Sequence, residues 1–237
     1  MDVIWIILIV ITASLIKGIT GFGFALVALP PLLIWYSPKE IIPVLIACNL
    51  FASTVIVLQK KQVVIDKRYC YLIVYGAVFT MVGAYIFSSI SDQILIYLMS
   101  VLFIGLSVLS LIGIKYTIKL NHLSCGLAGA FIGILTGSIS ISGPPLALFL
   151  HSTGVNNQQF REIFAWFSIV TSIIALISYA SLGLLSFETL TTTVTFIPIL
   201  YLGTFIGKRL NNQLSISAFK RLSMAITLIS CVLLLLR

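Results

Sequence analysis

The residues best suited to chemistry in this chain stand where a membrane helix tolerates them least. Lys17-Gly18-Ile19-Thr20-Gly21-Phe22-Gly23 lies inside one apolar run, and Thr136-Gly137-Ser138-Ile139-Ser140-Ile141-Ser142-Gly143-Pro144 inside another. An ammonium, a series of hydroxyls and a backbone loosened by glycine share one capacity: they donate hydrogen bonds to an oxyanion. A charge at the centre of a bilayer costs at least ~2.5–3.5 kcal/mol and marks a functional position by default. The candidate ligands of a small anion are Lys17, Gly18, Thr20, Gly21, Gly23, Thr136, Gly137, Ser138, Ser140, Ser142 and Gly143. Asn49, in the middle of the run 41–58 with Ser53 one turn on, joins them, as does Arg161. Each has a plainer account. Glycines let helices pack closely, Asn49 suits cross-helix hydrogen bonding, and Lys17 could snorkel to an interface. Arg161 could pair with Glu162, and His151 is more at home as a structural histidine.

Other chemistries lack their residues. There is no GxxxxGK[ST], HExxH or GxSxG pattern and no plausible carboxylate pair, so neither an ATP motor nor a known hydrolase is indicated. Cys48, Cys70, Cys125 and Cys231 show no CxxC spacing and read as small apolar side chains. No metal site, cofactor or enzymatic activity is expected.

The elements that must position the candidates are membrane helices. The chain is 60% hydrophobic and 8% charged, against roughly a quarter charged in soluble domains. Apolar runs at 41–58, 69–90, 94–114, 163–182, 187–207 and about 214–236 are near the ~20 residues that span a bilayer, and they do not alternate as strands would. The partners are then a lipid bilayer and a small anion, not nucleic acid, because the net charge of +8 is scattered through short loops. Whether the chain forms a homo-oligomer stays open. The start, Met-Asp-Val-Ile-Trp, lacks a basic signal-peptide region, so residue 1 is expected in the mature protein.

The chain also reads as written twice, as 1–115 and 116–237. Thr20-Gly21 followed by Pro30-Pro31 corresponds to Thr136-Gly137 followed by Pro144-Pro145, and Gly83 to Gly203. Charge counting sets the orientation of the copies. If 3–36 and 123–153 each cross the membrane once, basic residues divide six against seven. If each goes in and turns back, they divide eleven against two, with only Lys39 and Arg237 on the poor side. That is a strong positive-inside signal. It makes the repeats inverted and puts both termini outside. The half-segments 3–16 and 24–36 are about 21 and 20 Å long, short of a full span. A re-entrant loop and two short tilted helices both satisfy the parity. The expected fold is an all-α integral membrane protein: an inverted-repeat transporter with two broken helical hairpins and six full transmembrane helices.

A Gly-x-x-Gly-x-Gly segment leading to proline resembles the TauE/SafE family of sulfite exporters. The second copy repeats it as Leu135-Thr136-Gly137 and Ser142-Gly143-Pro144-Pro145, followed by Phe160-Arg161. The resemblance covers nearly the whole chain. Members usually carry a tighter glycine cluster, where this chain has Gly21-Phe22-Gly23-Phe24 and, in the second copy, Ser140 and Ser142. The resemblance implies a secondary transporter of sulfite or a small organosulfur anion in the bacterial inner membrane. Export is the expected direction. An uptake permease or channel for another anion such as thiosulfate is the alternative, ahead of a membrane-embedded enzyme or assembly factor.

Overall fold

The sequence supplies its own helix starts. Asn121 Oδ1 accepts from Ser124 N at 2.6 Å, and Asn156 Oδ1 accepts from Gln158 N and Gln159 N at 3.1 and 2.9 Å. Each is half of a capping box that settles otherwise orphaned amides. Ser37-Pro38-Lys39-Glu40 does the same for another helix, with Ser37 N donating to Glu40 Oε2 at 2.9 Å.

The computed structural model describes residues 2–58, 66–112 and 118–210. In order these form α1 (Asp2–Thr20), α2 (Phe24–Leu32), α3 (Pro38–Leu58), α4 (Arg68–Ser89), α5 (Asp92–Ile112), α6 (His122–Ile139), α7 (Gly143–Ser152), α8 (Asn157–Ser181) and α9 (Phe187–Leu210). There are no strands among the described residues. Helices α3, α4, α6, α8 and α9 are long and apolar enough to cross a membrane. The protein is therefore all-helical, with five candidate spans among the described residues. The expected last span, near 214–236, lies outside them, as do Lys60, Lys61, Lys115, Lys220, Arg221 and Arg237.

Helix α4 packs on α6 and α1 on α9, while α3 meets α8 and α9, and α4 also meets α8. The two tightest seams are glycine seams. A Cβ on Gly129, Gly133 or Gly137 would collide with the carbonyls of Leu72, Gly76 or Thr80, one per turn along α4. On α9, Gly203 faces Ser14 and Gly207 faces Leu15 and Gly18 of α1. In both seams the numbers rise together, so each pair runs parallel. Gly83 meets Ile134 as Gly203 meets Ser14, and both contacts repeat at a spacing of 120 residues. The outward faces of α4 and α9 are apolar, with Val74, Val78, Tyr85, Val194 and Leu202 exposed, as lipid-facing helices require.

Both broken segments return to the end they left. Ile118 N, before α6, donates to Ser152 O at the end of α7 at 3.1 Å. Thr153 Oγ1 and Tyr69 Oη, at the start of α4, are 2.9 Å apart. At the other end Trp35, Tyr36 and Glu40 share one cavity wall with Ser186, Glu188 and Thr189. That is the start of α9, and so also the level at which its parallel partner α1 begins.

The expected breaks shift. Lys17 and Gly18 lie inside α1, and Thr136, Gly137 and Ser138 inside α6. Helices α1 and α6 run 19 and 18 residues, about 28 and 27 Å, whereas α2 and α7 have 9 and 10, about 14 and 15 Å. Each hairpin thus pairs one nearly full-length helix with a half-helix. The left-handed backbone that ends the long arm falls at Gly21 (φ 85°) and Ser140 (φ 58°), later than the run of polar residues suggests.

Candidate functional site

The two breaks touch. A Cβ on Gly143 would lie 3.5 Å from the Phe22 ring and 3.6 Å from Gly23 N. Around this point is a small cavity lined by Gly23, Phe24, Ala25, Leu26, Asn49, Ser140, Ile141, Ser142, Gly143, Pro144 and Phe164. Its volume, ≈ 20 Å³, holds about one water. Half-helices α2 and α7 both begin at this cavity, and neither has a side-chain cap. Both therefore turn the positive end of a peptide dipole toward it. Pro144 and Pro145 carry no N–H, so α7 offers fewer backbone donors than a typical first turn.

Hydroxyls near the cavity divide sharply. Thr136 Oγ1 donates to Ile132 O and Ser138 Oγ to Ile134 O, both at 2.7 Å. Thr20 Oγ1 sits 2.8 Å from Ile16 O and 2.7 Å from Phe22 O. These protons are committed to local backbone. Ser140 and Ser142 make no hydrogen bond through their hydroxyls to the described residues, and both line the cavity.

The helix ends left by the breaks are finished by α8. Arg161 Nη2 donates to Gly18 O in the last turn of α1 at 3.0 Å, and its side chain lies 3.3 Å from where a Gly21 Cβ would stand. Tyr179 Oη donates to Gly137 O in the last turn of α6 at 2.7 Å. In α6 the Ser140 and Ile141 amides close back on Thr136 O and Leu135 O at 3.0 and 3.3 Å, the first being the bond of an αL cap, with serine in the position glycine usually takes. Phe22 packs against Phe160 and Phe164 of α8, with centroids 5.9 and 5.7 Å away. His151 stacks on Phe160 at 4.9 Å.

Lys17 is fully buried, and the hydrogen bonds of its ammonium all go to α3. Its ammonium donates to Asn49 O at 3.1 Å, to Asn49 Oδ1, and to Ser53 Oγ at 3.0 Å. Asn49 Nδ2 in turn reaches Ser172 Oγ on α8 at 3.4 Å.

Of the residues singled out in the sequence, Gly23, Asn49, Ser140, Ser142 and Gly143 line the cavity. Lys17, Thr20, Gly21 and Arg161 stand behind it as supports, and Gly18, Thr136, Gly137 and Ser138 belong to the helix seams and the last turn of α6. Ile141 and Phe164 line the cavity without a distinctive sequence signal. Proximity to the second break and to Phe160-Arg161 is the only pointer to them. No group of three or more His, Cys, Asp or Glu side chains able to hold a metal occurs among the described residues.

An all-helical, multi-pass membrane protein with an uncharged, donor-lined cavity between two broken helices belongs among transporters. The sequence matches the family model for the sulfite exporter TauE/SafE over residues 6–234. The chain is a member of that family, which suggests a membrane transporter of sulfite-type anions. No curated protein and no solved structure matches it.

Proposed function

We propose that the protein is a secondary transporter that exports a small sulfur oxyanion, sulfite or a small organosulfonate, by alternating access of two inverted repeats. The carrying observation is the cavity at the meeting of the breaks. Two uncapped half-helix starts and the free hydroxyls of Ser140 and Ser142 converge there, and no carboxylate lines it. Such a wall favours an anion over a cation. At ≈ 20 Å³ the cavity is too tight for a four-heavy-atom oxyanion, so it must widen to load.

Inversion is supported by the packing. Helix α8 runs from the end where α6 starts to the end where α1 starts, so the two hairpins enter from opposite ends. The basic end carries Lys67, Arg68, Lys119, Lys208 and Arg209, whereas the other has Lys39 beside Glu40, Asp92 and Glu188. By the positive-inside rule the first end is cytoplasmic in a bacterial inner membrane, with the N-terminus outside. The 120-residue spacing of matched seam contacts supports a duplication, which we divide at 1–115 and 116–237. An anion leaving a negative interior gains ~2.3 kcal/mol per charge per 100 mV, so export needs no coupling ion.

The test is sulfite flux in proteoliposomes under an imposed potential. Wild type should carry sulfite and show counterflow, which separates a carrier from a channel. Ser142→Ala should lower flux about tenfold, the worth of a hydrogen bond to a charged group. Unchanged flux in Ser142→Ala, or none in wild type, would remove the cavity or the substrate class from consideration.

A further inference from the structure

Resting on that reading of the cavity, we infer that Lys17 does not ligate the anion but is a positioning residue that orients Asn49, so that the asparagine presents its amide N–H groups, and not its carbonyl oxygen, to the substrate. The argument is one of counting. A lysine ammonium has three protons and no lone pair. All three have acceptors on α3: Asn49 O, Asn49 Oδ1 and Ser53 Oγ. None is left for an anion, and Lys17 is not part of the cavity wall. Asn49 is.

An asparagine amide has nearly symmetric ends, and only its partners decide which end faces where. An ammonium beside it decides without ambiguity, because the NH₂ end would bring donor against donor. With Oδ1 turned to Lys17, Nδ2 must lie on the other side. Among the described residues its only hydrogen bond is the long one to Ser172 Oγ, 3.4 Å. That weak bond leaves donor capacity for a ligand. The buried charge thus acts on the cavity through one amide, and the wall offers donors from Asn49, Ser140, Ser142 and the two half-helix starts. A free amide could flip its lone pairs toward the anion and repel it.

The experiment is a double-mutant cycle on sulfite flux in proteoliposomes, with initial rates measured against sulfite concentration. Lys17→Met and Asn49→Ala should each raise the half-saturating concentration about tenfold with the maximal rate retained. The double variant should be no worse than the worse single, because both changes remove the same interaction. Asn49→Asp keeps a partner for Lys17 but replaces the cavity-facing nitrogen with oxygen, so it should bind sulfite more weakly than Asn49→Ala. Multiplying losses in the double variant, or Asn49→Asp binding as well as Asn49→Ala, would overturn the inference while leaving the transport reading intact. Wild-type liposomes that carry no sulfite would overturn both. If Lys17→Met is not recovered as a monodisperse protein, the order of Asn49→Asp and Asn49→Ala decides alone.

Discussion

Replacing Gly133 with alanine tests whether the α4–α6 seam is as tight as described. The new Cβ would stand 3.0 Å from both Gly76 C and Gly76 Cα, and closer still to Gly76 O. Ordinary carbon contacts begin near 3.5 Å, so the seam must open, and no side chain can rotate away because every neighbour is backbone. Overpacking of this kind costs about 1–3 kcal/mol. The better helix propensity of alanine returns about 1 kcal/mol, for a net loss of up to about 2 kcal/mol. At about 2–4 °C per kcal/mol for a chain of this size, Tm should fall by up to about 8 °C. Gly126 on the same helix provides the control, since its Cβ would meet only the Tyr75 ring at 3.7 Å. Gly126→Ala should leave Tm unchanged or raise it slightly. The assay is thermal unfolding of the purified protein in one detergent, followed by intrinsic fluorescence. Equal shifts in both variants, or a higher Tm for Gly133→Ala, would refute the close backbone approach.

Tyr179→Phe removes the donor to Gly137 O in a fully buried place. An unsatisfied buried carbonyl costs about 1–3 kcal/mol, so Tm should drop by about 2–12 °C, and no drop would show that the carbonyl has another partner. Ser140→Gly relieves a left-handed backbone that costs a non-glycine residue about 1–2 kcal/mol, but removes a cavity hydroxyl. Tm should rise while sulfite flux falls, and a parallel change in both would contradict the separation of the two roles. Lys67→Cys, in a chain whose four native cysteines are alanine, should react with an impermeant maleimide only from the cytoplasmic side, and Lys39→Cys only from outside. The reverse pattern would invert the proposed orientation.

Much of this was legible because membrane helices leave a plain trace. Apolar runs near 20 residues and the unequal distribution of lysine and arginine are local signals, and four of the five candidate spans, α3, α4, α8 and α9, fall on the runs that composition marks, while α6 falls on a segment read as a broken hairpin. The pairing of Gly83 with Gly203 was also visible, since both positions must be bare for a helix to approach. The breaks were harder. Glycine and serine suit a helix seam and a helix end alike, so the stretch from Thr136 to Ser142 does not say where one stops. The structure gives Gly137 to the seam and Ser140 to the end, which depends on contacts with α4 and α8 that are distant in sequence. The same holds for Lys17. Its position in an apolar run announces a function, but that its three protons all go to α3 is a matter of tertiary geometry.

The seam between α1 and α9 has a consequence for how the chain is made. Gly18 meets Gly207, which is synthesised about 10–40 s later at about 5–20 residues per second. The first helix therefore waits in lipid without this neighbour until α9 has been made. Lys17 does not wait as long, because Asn49 and Ser53 follow it by 32 and 36 residues. Its charge is sheltered on α3 soon after entering the bilayer, while α1 still lacks α9.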